Sequence, residues 1–128
     1  MGWFGYGALD GDDGMDLRSE VFNRIGVKYT DNHDLLSTPQ EITKLLDENQ
    51  DSLYDWIADY DWKQHRNPGW QQEIYIQALL QLLIDYDVSI SERGKKGGIP
   101  FIINDQWSKS DKERKEAMDE LLQAVEAS

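Results

Sequence analysis

The chain has 128 residues, of which 39% are apolar and 11% aromatic, and it carries a formal net charge of −12. This length predicts a single domain over residues 1–128 with a core that needs no cross-links, and the absence of cysteine excludes disulfide bonds and thiolate zinc sites. The acidic excess repels nucleic acid and anionic membranes and attracts basic proteins, so we expect neither direct nucleic-acid binding nor membrane binding.

The N-terminal segment is rich in glycine and aromatic residues. Its first 14 residues hold five glycines together with Trp3, Phe4 and Tyr6, a glycine density that disfavours a regular helix. We expect an ordered but irregular segment. It is not expected to be a signal peptide, because it lacks a basic start and a continuous apolar stretch. No apolar run is long enough to span a membrane, so the expected location is the cytoplasm.

Apolar residues at helical spacing predict three helices in the first half of the chain. The first runs from about Met15 to Ile25. The sequence Thr38-Pro39-Gln40-Glu41 is a capping box with proline at the first helical position, and it opens a second helix that ends near Asn49. A third helix begins at residue 51 or 52 and includes Trp62.

The second half of the chain predicts two more helices. Asn67 and Pro68 open the longest helix, to about Tyr86, and its apolar residues point in nearly every direction, which is typical of the centre of a bundle. Residues 91–100 are expected to form a flexible basic loop, and residues 100–105 a short extended piece. A second capping box, over 110–113, opens the last helix. The predicted fold is therefore an all-α bundle of about five helices.

The opening sequence resembles the start of a bacterial family called domain of unknown function 4259. Members tend to begin with Met-Gly, a Trp, a Gly-x-Gly and an apolar-Asp-x-Asp-Asp stretch that leads into a helix. Here the pattern falls on about 20 residues, at Trp3, Gly5, Gly7, Leu9, Asp10, Asp12 and Asp13. The resemblance implies a helical protein and implies no particular chemistry.

A row of acidic residues lies along the predicted third helix. Asp51, Asp55 and Asp59 are spaced i, i+4, i+8, so they lie on one face, where like charges destabilise a helix. Asp47, Glu48 and Asp61 add charge nearby, and no Lys or Arg lies between Lys44 and Lys63. One interpretation is a solvated face that aids solubility. The other is a DNA mimic, in which carboxylates repeating at about 6 Å present a phosphate-like row to a basic partner.

Aromatic residues alternate with these acids. Tyr54 and Trp62 are the two that we expect to anchor a partner, because exposed aromatic residues beside charge are typical of interfaces. The alternative is that most of these aromatic residues belong to the core. Trp56 is expected to lie in the core.

A second acidic cluster precedes and enters the first helix. Asp10, Asp12, Asp13 and Asp16 do not follow the EF-hand pattern, since the glycine and the final glutamate of that loop are missing. They are interpreted as acids favoured at a helix N-terminus, with weak binding of a divalent cation as the alternative.

We therefore expect a non-enzymatic protein that needs no cofactor. It is expected to bind a basic, nucleic-acid-handling protein, as a phage counter-defence inhibitor does. The expected contacts are Asp47, Glu48, Tyr54 and the acids up to Asp61. Two alternatives stay open. One is an immunity protein that neutralises a basic toxin, and the other is a metal-binding protein or metal-dependent enzyme that uses the first cluster. The sequence leaves the oligomeric state open.

Overall fold

The computed structural model describes residues 12–30, 34–59, 68–105 and 107–128. These residues form five α-helices, α1 (Asp12–Ile25), α2 (Pro39–Asp59), α3 (Pro68–Asp85), α4 (Glu92–Ile103) and α5 (Lys112–Ala127), with a short 3-10 turn at Trp107–Lys109. The described residues include no strand, only one isolated antiparallel bridge between Tyr29 and Leu35. The predicted all-α bundle of about five helices is confirmed. The irregular segment predicted over the first 14 residues is wrong at its end, because α1 begins at Asp12 and not near Met15. Residues 1–11 lie outside the described residues.

Helix α2 is one continuous helix, where we expected two. The predicted cap is present, since the Glu41 amide donates to Thr38 Oγ1 at 3.2 Å. Asn49 does not end the helix, and its side-chain amide donates back to the Leu45 carbonyl at 2.7 Å. Gln50 and Leu53 are buried, so the inward-facing stripe continues through the expected break. With 21 residues, α2 is longer than α3, which has 18.

Helix α4 replaces the expected basic loop and extended piece, and this prediction was wrong. Ser91 caps the helix, and its hydroxyl accepts from the Gly94 amide at 3.2 Å. Glycine lowers helix propensity by about 1 kcal/mol, but Gly94 and Gly98 are buried against Tyr54 and Leu80, where a Cβ would overlap those side chains. Close packing therefore outweighs the low local propensity.

The last helix begins one residue later than expected. Asp111, not Ser110, is the N-cap of α5, and its carboxylate accepts from the Arg114 amide at 3.1 Å. Acidic side chains are favoured at the positive end of the helix dipole. Met118, Leu121 and Val125 of this helix are buried.

Helix α3 lies at the centre of the bundle, as its all-round apolar character predicts. It contacts each of the other four helices. Among the side chains of α3 that the structure describes, the fully buried apolar ones are Ala78, Leu79, Leu80, Leu82 and Leu83. None of the described helices has the length and hydropathy to cross a membrane.

Candidate partner-binding face

One face of α2 carries the acidic residues, and we call Asp47, Glu48, Asp51, Asp55 and Asp59 the acidic face. All five are exposed. At 100° per residue they fall within a sector of about 120°. The buried residues of α2, among them Leu46, Leu53 and Ile57, occupy the opposite side. The charge is therefore segregated from the core by the helix period itself.

The continuity of α2 sets the dimensions of the acidic face. Twelve residues separate Asp47 from Asp59, which is about 18 Å at 1.5 Å per residue. Five carboxylates over that length give roughly one per 4 Å, close to the one phosphate per about 3.4 Å of a single DNA strand. Two separate helices, as the sequence had suggested, would not have fixed Asp47 and Glu48 on the same face as Asp51, Asp55 and Asp59.

Basic residues partly compensate the acidic face, although no Lys or Arg lies between Lys44 and Lys63 in the chain. Lys44 Nζ lies 3.9 Å from Glu48 one turn away. Arg93, from α4, pairs with the Asp55 carboxylate and donates to the Asp51 carbonyl at 3.4 Å. The hydrogen bond to Asp55 raises the pKa of Arg93 above its ordinary value, and the fields of Asp55, Asp51 and Asp59 act in the same direction. An excess of three negative charges remains on the acidic face.

The expected aromatic anchors are not placed as predicted. Tyr54 is only 5% exposed, and its hydroxyl donates to Gln50 Oε1 at 2.7 Å. Burial raises the pKa of this phenol, so it stays neutral. Tyr54 is a core residue rather than an exposed anchor, because the Gln50 acceptor and the glycine surface of α4 enclose it. Asp61 and Trp62 lie outside the described residues.

Trp56 packs partly buried against the core, on the side of α2 that approaches α1 and α3. Its ring lies 6.3 Å from that of Tyr75, and the Arg24 guanidinium stands 4.2 Å above it. This placement agrees with the prediction that Trp56 belongs to the core.

A groove borders the acidic face where α2, α3 and α4 meet. It has a volume of about 250 Å³ and opens to solvent. Its lining residues are Tyr54, Ala58, Gln72, Ile76, Arg93, Gly94, Gly97, Gly98 and Phe101. Sequence reasoning missed it by treating residues 91–100 as a loop. The spacing of Gly94 and Gly98, four residues apart, was the available signal, because it places both on one helical face.

The second acidic cluster is only partly described. Asp12 and Asp13 lie in the first turn of α1 and Asp16 is exposed, whereas Asp10 lies outside the described residues. Within the described part of the chain, no group of three or more His, Asp or Glu side chains is placed to hold a metal ion.

A buried polar cluster joins α3 to α5 and to the segment before it. Asp105 and Arg114 are each 2% exposed and form an ion pair, with Arg114 Nε 3.1 Å from Asp105 Oδ2. Gln77 on α3 is fully buried between them. It donates to Asp105 Oδ1 at 3.0 Å and accepts from Arg114 Nη2 at 2.6 Å. Ser108 donates to Asp105 through both its amide and its hydroxyl.

The hydrogen bonds in this cluster determine its chemistry. Burial would raise the pKa of Asp105, but the hydrogen bonds from Arg114, Ser108 and Gln77 and the charge of Arg114 outweigh it, so the pKa lies below its ordinary value. A carboxylate that is ionised and surrounded by donors is a poor proton acceptor. The cluster therefore suits a structural role rather than acid–base catalysis.

Comparison with known proteins assigns no relatives. No protein-family model matches the chain, and neither a curated protein nor a solved structure shows significant similarity to it. The resemblance of the opening residues to domain of unknown function 4259 stays a prediction.

Proposed function

We propose that this chain is a non-enzymatic, cytoplasmic binding protein whose acidic face docks on the basic surface of a nucleic-acid-handling protein and occludes it. The observation that carries the proposal is the unbroken α2, which holds five exposed carboxylates in one row about 18 Å long. A basic cleft that normally binds a phosphate backbone would find a similar density of negative charge on this row. A phage-encoded counter-defence inhibitor is the natural example of this activity.

The decisive comparison uses two variants of equal net charge. The first replaces Asp51, Asp55 and Asp59 with Asn. The second replaces three exposed acids of α5 with Gln, at Glu116, Glu120 and Glu126. Both change the net charge from −12 to −9, so total charge is the same in the two variants and only the α2 variant alters the acidic face.

Affinity capture from host lysate at low and high salt provides the measurement. We expect the parent and the α5 variant to capture one basic, nucleic-acid-handling protein at low salt and to lose it at high salt, because salt screens exposed charges. We expect the α2 variant to capture none. Equal capture by both variants would mean that overall charge, not the acidic face, attracts the partner.

An immunity protein that neutralises a basic toxin would use the same acidic face. The two roles differ in the identity of the captured protein, which mass spectrometry of the captured fraction supplies. A metal-dependent role would use the cluster from Asp10 to Asp16, and a rise in melting temperature with millimolar Ca²⁺ or Mg²⁺ would support it.

A further inference from the structure

The groove beside the acidic face has a size that suits one large side chain. Its volume of about 250 Å³ lies below the roughly 300–1,000 Å³ typical of sites for drug-sized ligands. Its walls are mainly apolar, from Ile76 on α3, Phe101 on α4 and the ring of Tyr54 on α2. A side chain of this size would contribute binding free energy by burying its apolar surface, as an interface anchor does.

The groove and the acidic face are adjacent on the same helix. Tyr54 and Ala58 line the groove, and on the helical wheel they lie at the edge of the sector that holds the carboxylates. Asp55 and Asp59 each directly follow one of these lining residues in the chain. A segment that lies along the acidic face therefore passes the mouth of the groove, and its charge must be basic to match that face.

Arg93 makes an aromatic occupant the best match. Arg93 lines the groove, and its guanidinium pairs with Asp55 and lies 6.0 Å from the centroid of the Tyr54 ring. An aromatic ring in the groove would offer the same guanidinium a second face for a cation–π contact. Aliphatic side chains lack this contact.

We propose that the groove receives one aromatic side chain, best a tryptophan, flanked by lysine or arginine residues on the surface of the basic partner. This inference rests on the proposed function, since the flanking basic residues bind the acidic face. The groove would then provide specificity for a particular partner, whereas the acidic face provides attraction to basic proteins in general.

Gly97 allows the groove to be blocked without touching the charges. It lines the groove and is exposed, and a Cβ at this position meets nothing within 4 Å. Gly97→Leu places a branched side chain at the groove wall, and Gly97→Ala is the matched control that removes the same glycine and leaves most of the space.

The probes are two synthetic twelve-residue lysine-rich peptides that differ at one central position, tryptophan in one and serine in the other. Binding is measured by NMR titration of the full chain. We expect the tryptophan peptide to bind about tenfold or more tightly than the serine peptide and to shift the amides of Gly94, Gly97 and Gly98. Gly97→Leu should remove this difference, and Gly97→Ala should keep it.

The outcomes separate the two proposals. Equal affinity of both peptides for the parent, with binding that is lost on replacing Asp51, Asp55 and Asp59, would overturn the groove inference and leave the acidic face intact. No salt-sensitive binding of either peptide would overturn both. A tryptophan preference that survives Gly97→Leu would place the anchor site elsewhere and would also overturn the inference.

Discussion

Individual side chains fix how α3 joins the C-terminal part of the bundle. The side chains of Asp105 and Arg114, which form an ion pair, are each only 2% exposed, and Gln77 hydrogen-bonds to both. Taking two charges out of water is costly unless every donor and acceptor is satisfied. The cluster therefore adds little to the stability as a whole, but loss of one member leaves the other as an unpaired buried charge.

We predict that Arg114→Met lowers the free energy of unfolding by about 3–5 kcal/mol, because Asp105 then stays buried without its cation. The midpoint and slope of urea unfolding measure the change. The double variant Arg114→Met, Asp105→Leu is the control and should recover part of the loss. A single variant within about 1 kcal/mol of the parent would show that the pair is not buried in solution.

The pH dependence of stability should also report on Asp105. Its pKa is lower in the folded protein than its ordinary value, so folding favours the ionised form. The resulting stability is present above about pH 4, the ordinary range of an aspartate, and is lost as the pH falls through the folded-state pKa.

We predict that the parent loses more stability than Asp105→Asn between pH 7 and about pH 3. Urea unfolding of both proteins at the two pH values gives the comparison. The many other carboxylates titrate in both proteins, so only the difference between them is informative. Parallel losses would mean that Asp105 is protonated alike in the folded and unfolded states.

At the scale of elements, α4 depends on its contacts with α2 and α3. Gln50 connects α2 to the start of α4, since its Oε1 accepts from the Ser91 amide at 2.8 Å and its Nε2 donates to the Ser89 carbonyl at 3.0 Å. Gly94 lies against the same Tyr54 whose hydroxyl bonds Gln50. The helix forms because these contacts exist, and its own propensity opposes it.

Two glycines of α4 should respond oppositely to substitution by alanine. Gly94→Ala overlaps the buried Tyr54 hydroxyl, and we predict a loss of about 1–3 kcal/mol from overpacking. Gly97→Ala meets open space, and we predict a gain of up to about 1 kcal/mol from helix propensity. Thermal melting of both variants measures the difference. Equal effects would show that α4 does not pack on Tyr54.

At the scale of the whole molecule, Arg93 moderates the acidic field. It is one of 13 basic residues against 25 acids, yet it stands beside the acidic face and competes there with the basic groups of a partner. Arg93 and Asp55 are each about half exposed, and exposed ion pairs contribute little to the stability of a fold. Arg93 therefore affects partner binding through its charge rather than through stability.

We predict that Arg93→Gln strengthens binding of the lysine-rich serine peptide about fivefold at low salt. The net charge of the acidic face becomes more negative by one, and the guanidinium no longer competes with the peptide for Asp55. The gain should vanish at high salt. Lys112→Gln changes the net charge equally from the exposed start of α5 and is the control. An equal gain in both variants would show that Arg93 acts only through total charge.

The sequence by itself determined those features that depend on residues within about one helical turn. The 3.6-residue period placed the acids of α2 on one face, Thr38 marked its start, and the all-round apolar character of α3 put it at the centre of the bundle. Each of these features follows from the geometry of the helix itself, which does not depend on the elements packed around it.

Only the tertiary structure decided the features that join residues distant in the chain. Arg93 reaches Asp55 across 38 residues, and Arg114 reaches Gln77 across 37. The glycines of α4 looked like a loop until Tyr54 and Leu80 were placed against them, and Tyr54 looked like an exposed anchor until Gln50 and Gly94 enclosed it. Packing overrides local preference here because burying a large apolar side chain contributes about 1.5–3 kcal/mol, more than the roughly 1 kcal/mol of helix propensity lost at a glycine.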